Sequence, residues 1–206
     1  MLYNTLALLS LIVIILLLRS LVNMFPSLIA CLLRWKESIN LQMSVKLGRE
    51  RDTLALAMVI PFCLTAYRFE LYRPAFFNSI SENAKIWIIL GAFAAFVIIR
   101  KSCSALLRPK RIPVMTYKSA IASERTFFII LTLVLLAIGG CLSLFDVSTT
   151  AIRDTMFWVS GTIYVLFLLR KLQIFNSSCS IFLSFLYLCA LEILPIGVLV
   201  TSTVIF

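Results

Sequence analysis

Histidine is absent from the 206-residue chain, and only 14% of the residues are charged. The absence of histidine excludes a haem group with an imidazole ligand and any zinc site that contains histidine. The sequence also lacks a Gly-rich phosphate loop, an HExxH motif and a GxSxG motif, each of which marks a known type of catalytic site. We therefore expect no catalytic residue, no metal site and no bound cofactor.

Cysteine is present, but without a pattern that suggests a function. No two of the six cysteines have CxxC spacing, and most lie inside or beside apolar runs. A free cysteine in such a position behaves as a small hydrophobic residue, so we expect no disulfide framework. The six are Cys31, Cys63, Cys103, Cys141, Cys179 and Cys189.

Long apolar runs dominate the chain. Hydrophobic residues make up 62% of it, and the mean hydropathy is +1.05, whereas soluble domains are nearer half apolar and a quarter charged. The runs are about 20 residues long, the length that crosses the hydrocarbon layer as a helix. "LALLSLIVIILLL" has none of the polar stripes that a soluble helix bundle needs. The sequence predicts an all-α polytopic membrane protein with one integral domain over residues 1–206.

Six transmembrane helices are predicted. The first is not expected to be a cleavable signal peptide, because no basic region precedes it and no small-residue cleavage site follows it. The second is short and is interrupted by Pro61. The six spans cover about 2–18, 53–67, 86–99, 126–145, 155–169 and 181–205.

Residues 20–36 follow the first span and are less uniformly apolar than it is. Their first half is apolar but contains Asn23 and Pro26, and they end on an aromatic residue between two basic ones, at 34–36. Segments of this length and border lie along the membrane interface more often than they cross the membrane. We expect an interfacial helix here, and a seventh span at 20–35 is the alternative.

Basic residues indicate the orientation of the chain. Fifteen of the nineteen Lys and Arg residues follow predicted spans one, three and five, and only four lie in the segments on the opposite side. The side rich in Lys and Arg faces the cytoplasm. Both termini are therefore expected outside, in the periplasm if the membrane is a bacterial inner membrane. The net charge of +10 then favours anionic lipid headgroups as partners and not nucleic acid.

One carboxylate interrupts the last apolar run. "FLYLCALEILPIGVLV" (185–200) contains Glu192, about 16 Å along a helix that begins at residue 181. No Lys or Arg lies in the middle of another predicted span, so the sequence predicts no buried ion pair. Because desolvation without a cation disfavours the charged form, we expect Glu192 to be mostly neutral at pH 7 or to lie beside water.

Two roles for Glu192 compete. As a proton or cation site, it would lie beside the carbonyl of Leu191, which Pro195 leaves without a helical donor, and near Gly197, which allows close approach of another helix. As a structural group, it would donate a hydrogen bond to a neighbouring helix. The candidate acceptors are Thr65, Thr132, Ser160 and Tyr164.

A resemblance supports the membrane assignment. "YLCALEILP" (187–195) resembles the C-terminal signature of an uncharacterised family of polytopic bacterial inner-membrane proteins, known only as a domain of unknown function. "MFPSL" and "LALAMVIPF" are similar to it more loosely. The resemblance implies an inner-membrane location in a bacterium with two membranes, and it singles out Tyr187, Glu192 and Pro195. It implies no activity.

The sequence therefore favours an integral inner-membrane protein without catalysis, an accessory or scaffold subunit of a larger cell-envelope complex whose partners are other membrane subunits. The alternative is a small proton- or ion-coupled transporter or channel that uses Glu192. A lipid-modifying enzyme that combines a basic phosphate-binding patch with Glu192 is a third class. The candidate polar site, functional or structural, comprises Glu192, Pro195, Tyr187 and Pro61.

Overall fold

The computed structural model describes residues 2–72, 77, 80–106, 113–177, 181–193 and 197. Within them, all regular secondary structure is helical, which confirms the all-α class. Eight α-helices are followed by a short π-helix at Cys189–Ile193. The α-helices are α1 (Leu2–Leu33), α2 (Trp35–Met43), α3 (Val45–Ala57), α4 (Val59–Arg68), α5 (Glu82–Leu106), α6 (Val114–Leu144), α7 (Thr149–Asn176) and α8 (Ile181–Leu188).

Four of these helices are long and apolar enough to cross a membrane, namely α1, α5, α6 and α7. They overlap four of the six predicted spans. The predicted second span, 53–67, is divided between α3 and α4, which meet at Met58. The predicted sixth span, 181–205, lies mostly outside the described residues, so the number six stays a prediction.

The predicted break between the first span, 2–18, and a separate interfacial helix at 20–36 is not found in the structure. α1 continues as one helix through Asn23 and Pro26 to Leu33. Proline removes one helical hydrogen bond, but both of these residues lie on the exposed side of α1, while Met24 and Leu28 on the opposite side are buried. Burial of that apolar side holds the helix together past the proline.

The buried side of α1 packs on α2, α3 and α6. Close packing of this kind replaces the hydrophobic effect as the main attraction between helices inside a bilayer. The buried residues of this cluster are Met24, Leu28, Cys31, Leu41, Leu54, Ala55, Ile129 and Ile130.

Helices α6 and α7 form an antiparallel hairpin that depends on Gly139. A Cβ atom added at Gly139 would lie 2.7 Å from Met156 Cε and 2.8 Å from Phe69 Cε2. A larger residue at Gly139 would therefore force the side-chain ends of Met156 and Phe69 to shift, so glycine suits the close packing of α6, α7 and the end of α4 at this point. Gly140, its neighbour, has no atom within 4 Å of such a Cβ.

One end of the bundle is rich in aromatic residues. The rings of Tyr3 and Tyr67 are 5.7 Å apart, and the Tyr67 hydroxyl donates a hydrogen bond to Glu82. The start of α1, the end of α4 and the start of α5 therefore lie together. Residues of the α6–α7 turn line the same cavity as these tyrosines. We call this the aromatic end.

The opposite end of the bundle, where α1 ends beside Arg170 of α7, is rich in basic residues. We call it the basic end. Here Arg170 of α7 donates hydrogen bonds to the carbonyl oxygens of Leu32 and Leu33, both at 2.9 Å. These carbonyls end α1 and lack helical donors. The Tyr117 hydroxyl of α6 donates to the carbonyl oxygen of Ser104 in α5.

Candidate functional site

Glu192 lies on the short π-helix that continues α8. A π-helical turn within an α-helical segment is rare and is frequent at functional sites. The side chain of Glu192 is 2% exposed. Pro195, which follows it in the sequence, lies outside the described residues.

Both oxygens of the Glu192 carboxylate are paired with cations. Arg100 Nη2 of α5 contacts Oε2, and Lys171 Nζ of α7 contacts Oε1. Arg100 also pairs with Glu124 of α6, with 3.1 Å between Nη1 and Oε1. The expectation that no buried ion pair forms at Glu192 is therefore wrong.

The reason for this error is the length of α5 and α7. The two predicted spans end at residues 99 and 169, which places Arg100 and Lys171 in the predicted cytoplasmic segments. Both helices continue for several more residues, so Arg100 and Lys171 stand on helix surfaces. Lys171 is 5% exposed, which shows that it points into the bundle.

An aromatic ring supports the two cations. Phe167 of α7 is buried, and its ring centre is 5.6 Å from Arg100 Cζ and 5.4 Å from Lys171 Nζ. Phe96 lies 6.0 Å from Arg100 Cζ. A cation near the face of an aromatic ring is attracted by the ring's quadrupole, and the attraction grows as water is removed. Phe167 therefore helps to hold both cations at Glu192.

Tyr164 lies one helical turn before Phe167. Its buried hydroxyl has no hydrogen-bond partner among the described residues, although it interacts electrostatically with Glu192 and Arg100. Two other predicted partners of Glu192 bond within their own helices. Thr65 donates to the carbonyl oxygen of Pro61, and Thr132 donates to that of Phe128.

We call Arg100, Glu124, Lys171 and Glu192 the Glu192 cluster. It contains two positive and two negative groups, and it connects α5, α6, α7 and the π-helix. A buried ion pair becomes tolerable when its charges balance and its remaining polar atoms are bonded. The arrangement therefore joins four elements at one point and leaves no carboxylate oxygen of Glu192 without a cation.

Of the other predicted site residues, only Pro61 has a described side chain, and it does not join the cluster. Pro61 is buried in α4, where its carbonyl oxygen accepts a hydrogen bond from Thr65 at 2.8 Å. The backbone of Tyr187 belongs to α8, but the position of its side chain lies outside the description. The predicted roles of Pro61, Tyr187 and Pro195 stay predictions.

A second ion network joins α2, α3 and α6. Arg51 is 2% exposed and donates to Asp52 Oδ1 at 3.0 and 2.8 Å and to Gln42 at 3.0 Å, while Arg125 pairs with the other Asp52 oxygen. Burial alone would raise the pKa of Asp52. The hydrogen bonds from Arg125 and Arg51 outweigh burial and hold that pKa below its usual value. From the sequence, Arg51 contributes only to the predicted orientation of the chain.

A cavity of about 660 Å³ lies at the aromatic end. Glu70 and Asp146 both line it, and both have left-handed backbones, with φ of 51° and 52°. Such backbones cost free energy in residues other than glycine. In the part of the chain that the structure describes, no group of three His, Cys, Asp or Glu side chains is placed to hold a metal ion.

Comparisons with protein-family models, with curated proteins and with solved structures find no match to this chain. The resemblance of "YLCALEILP" to the uncharacterised inner-membrane family therefore stays a prediction.

Proposed function

We propose that this chain is an integral inner-membrane protein without catalysis, which acts as an accessory or scaffold subunit of a larger cell-envelope complex. Four long apolar helices support the membrane assignment. α1 is the least buried of them, since only 6% of its most apolar 18-residue stretch is buried. A helix so little covered by its own chain offers a long surface to other transmembrane helices.

The main support for the proposal is the pairing of the Glu192 carboxylate with two cations. Its two carboxylate oxygens each contact a cation, and those cations belong to two different helices. A carrier for protons or ions has to release and rebind its charge partner in each cycle, whereas a structural group keeps its partners. Balanced, buried pairing on several helices supports a structural role, which suits a scaffold.

The proposed topology has six spans with both termini in the periplasm. Its support comes from the two ends of the bundle, since the start of α1, the end of α4, the start of α5 and the α6–α7 turn share the aromatic end. The basic end then faces the cytoplasm by the positive-inside rule. Single cysteines introduced at Lys36 and Asp154 should react with a membrane-impermeant reagent from opposite sides of the membrane.

A small proton- or ion-coupled transporter is the second candidate. Two features of the site favour it. Glu192 lies on a π-helix, and the Tyr164 hydroxyl, which interacts electrostatically with Glu192, has no hydrogen-bond partner among the residues that the structure describes. In this mechanism Glu192 would exchange its cation partners for a proton or an ion during transport.

Purification in mild detergent separates the two candidates. The scaffold proposal expects other membrane subunits to co-purify with the tagged wild-type chain at fixed stoichiometry. A lone homo-oligomer that conducts protons or ions in liposomes, and loses this flux in Glu192→Gln, would support the transporter and overturn the scaffold.

A further inference from the structure

Arg19 occupies an unexpected place in the structure. The predicted spans place it in the segment after the first span, but it lies inside α1 and is exposed. The Tyr3 end of α1 lies at the aromatic end, and Arg170 holds the Leu33 end at the basic end. Arg19 is about 24 Å along the helix from Tyr3 and about 21 Å from Leu33, so it lies halfway between the two ends of the bundle.

Two more polar groups share this face of α1. Residues four apart lie on the same side of a helix, and Asn23 is exposed one turn after Arg19. Pro26 is also exposed, and because it has no N–H, the carbonyl oxygen of Val22 lacks its helical donor. A guanidinium, an amide and a carbonyl are thus grouped on one surface.

The surroundings of these groups are apolar and exposed. Ile15 is 59% exposed, Leu16 is 76% and Val22 is 62%. If this surface faced lipid tails, the charge of Arg19 would lie near the middle of the hydrocarbon layer, which costs several kcal/mol by the smallest estimates. An arginine near a helix end avoids this cost by reaching the headgroups, but Arg19 is far from both ends of α1.

Among the described residues, no acidic side chain pairs with Arg19. All nine Asp and Glu residues belong to the described part of the structure, and none of the ion pairs found there includes Arg19. A second copy of the chain is a poor occupant as well. A symmetric contact through this face would bring two Arg19 side chains together, and Glu192, the acid most deeply buried in an apolar run, is already paired.

We propose that the face of α1 around Arg19 binds a transmembrane helix of a different protein, and that this helix carries an Asp or Glu side chain at mid-membrane depth. The carboxylate would pair with Arg19 and accept a hydrogen bond from the Asn23 amide. Apolar side chains of the same helix would cover Ile15, Leu16 and Val22. This inference rests on the proposed function, since it names the surface through which the subunit joins its complex.

Site-specific photo-crosslinking in intact cells tests the inference. A photo-reactive residue at Leu16 reports on the Arg19 face, and one at Trp158, which is 80% exposed on α7, is the matched control. Crosslinked peptides are identified by mass spectrometry. We expect Leu16 to label a transmembrane helix with a central acidic residue, and Arg19→Leu to reduce this product at least tenfold while Arg19→Lys retains most of it.

Exchange of charges then tests the pairing itself. Arg19→Glu should abolish the Leu16 product, and a change of the partner's acid to arginine should restore it. The inference is overturned if Arg19→Leu gives the same yield of the Leu16 product as the wild-type protein. It is also overturned if Leu16 crosslinks only to lipid, to a second copy of the chain or to a helix without an acidic residue. The proposed function survives that result if Trp158 labels another subunit or if subunits still co-purify, and it fails if neither occurs.

Discussion

Replacement of Glu192 by glutamine distinguishes the structure from the sequence-based expectation. A neutral carboxyl group resembles a glutamine amide in size and in hydrogen bonding, so Glu192→Gln would be mild if Glu192 were protonated. In the structure, the substitution removes the negative charge that pairs with Arg100 and Lys171. Both cations would then lie in the bundle with only Glu124 as a counter-charge.

The expected loss of stability is large. Removal of one partner from a buried ion pair costs about 3–5 kcal/mol, because the remaining charge stays buried without compensation. The 2% exposure of Glu192 and the 5% exposure of Lys171 place this pair in that class. The free energy of unfolding, measured with denaturant in detergent micelles, should fall by about this amount in Glu192→Gln.

Lys171→Met in the Glu192→Gln background should recover part of the lost stability, since it removes a buried positive charge that no longer has its partner. The double-mutant cycle should give a coupling of about 1–3 kcal/mol. The matched control is Asp154→Asn, since Asp154 is 68% exposed and lies 3.7 Å from Arg153, and it should change stability by less than about 1 kcal/mol. The account of Glu192 is refuted if Glu192→Gln costs no more than Asp154→Asn and shows no coupling with Lys171.

The remaining predictions concern packing, pH and the end of α1. Gly139→Ala should destabilise the α6–α7 hairpin by about 1–3 kcal/mol, while Gly140→Ala should be neutral or slightly stabilising in the same unfolding assay; equal effects would contradict the packing at Gly139. Because the folded-state pKa of Asp52 lies below its ordinary value of 3.8, the network at Asp52 stabilises the protein above pH 3.8 and loses this effect as pH falls through the folded-state pKa. Asp52→Asn should therefore lose less stability on acidification than the wild-type protein. An unchanged pH dependence of stability would refute this role of Asp52. Arg170→Gln should increase hydrogen exchange at the end of α1, since Leu32 and Leu33 lose their donors, and unchanged exchange would refute this role.

The sequence predicted the all-α class and the approximate positions of four long apolar helices. Runs of apolar residues identify α1, α5, α6 and α7 as helices long and apolar enough to cross a membrane, because length and composition alone decide that property. These are properties of one helix at a time, and they need no knowledge of packing.

The ends of the helices were harder to predict, and the main errors began there. Asn23 and Pro26 are helix-breaking signals and predict a break after the first span, but whether they break a helix depends on which side of it is buried. A charged residue after an apolar run predicts the end of a span, which puts Arg100 and Lys171 outside the helices. The pairing of both with Glu192 depends on how three helices pack, which no single segment of sequence reveals.

One signal for the Glu192 cluster was present in the sequence. "VIIRK" and "LLRKL" both place basic residues directly after an apolar run, and a helix that continues past such a point presents them on its surface. A buried acid on another helix is then the natural partner. Arg51 beside Asp52 offered a similar signal for the second network.

Infrared spectroscopy of the purified protein tests the central claim most directly. The difference between the spectra of wild-type protein and Glu192→Gln at neutral pH isolates the Glu192 side chain. Pairing with Arg100 and Lys171 predicts the paired stretching bands of an ionised carboxylate in that difference. The carbonyl band of a protonated carboxylic acid would contradict it.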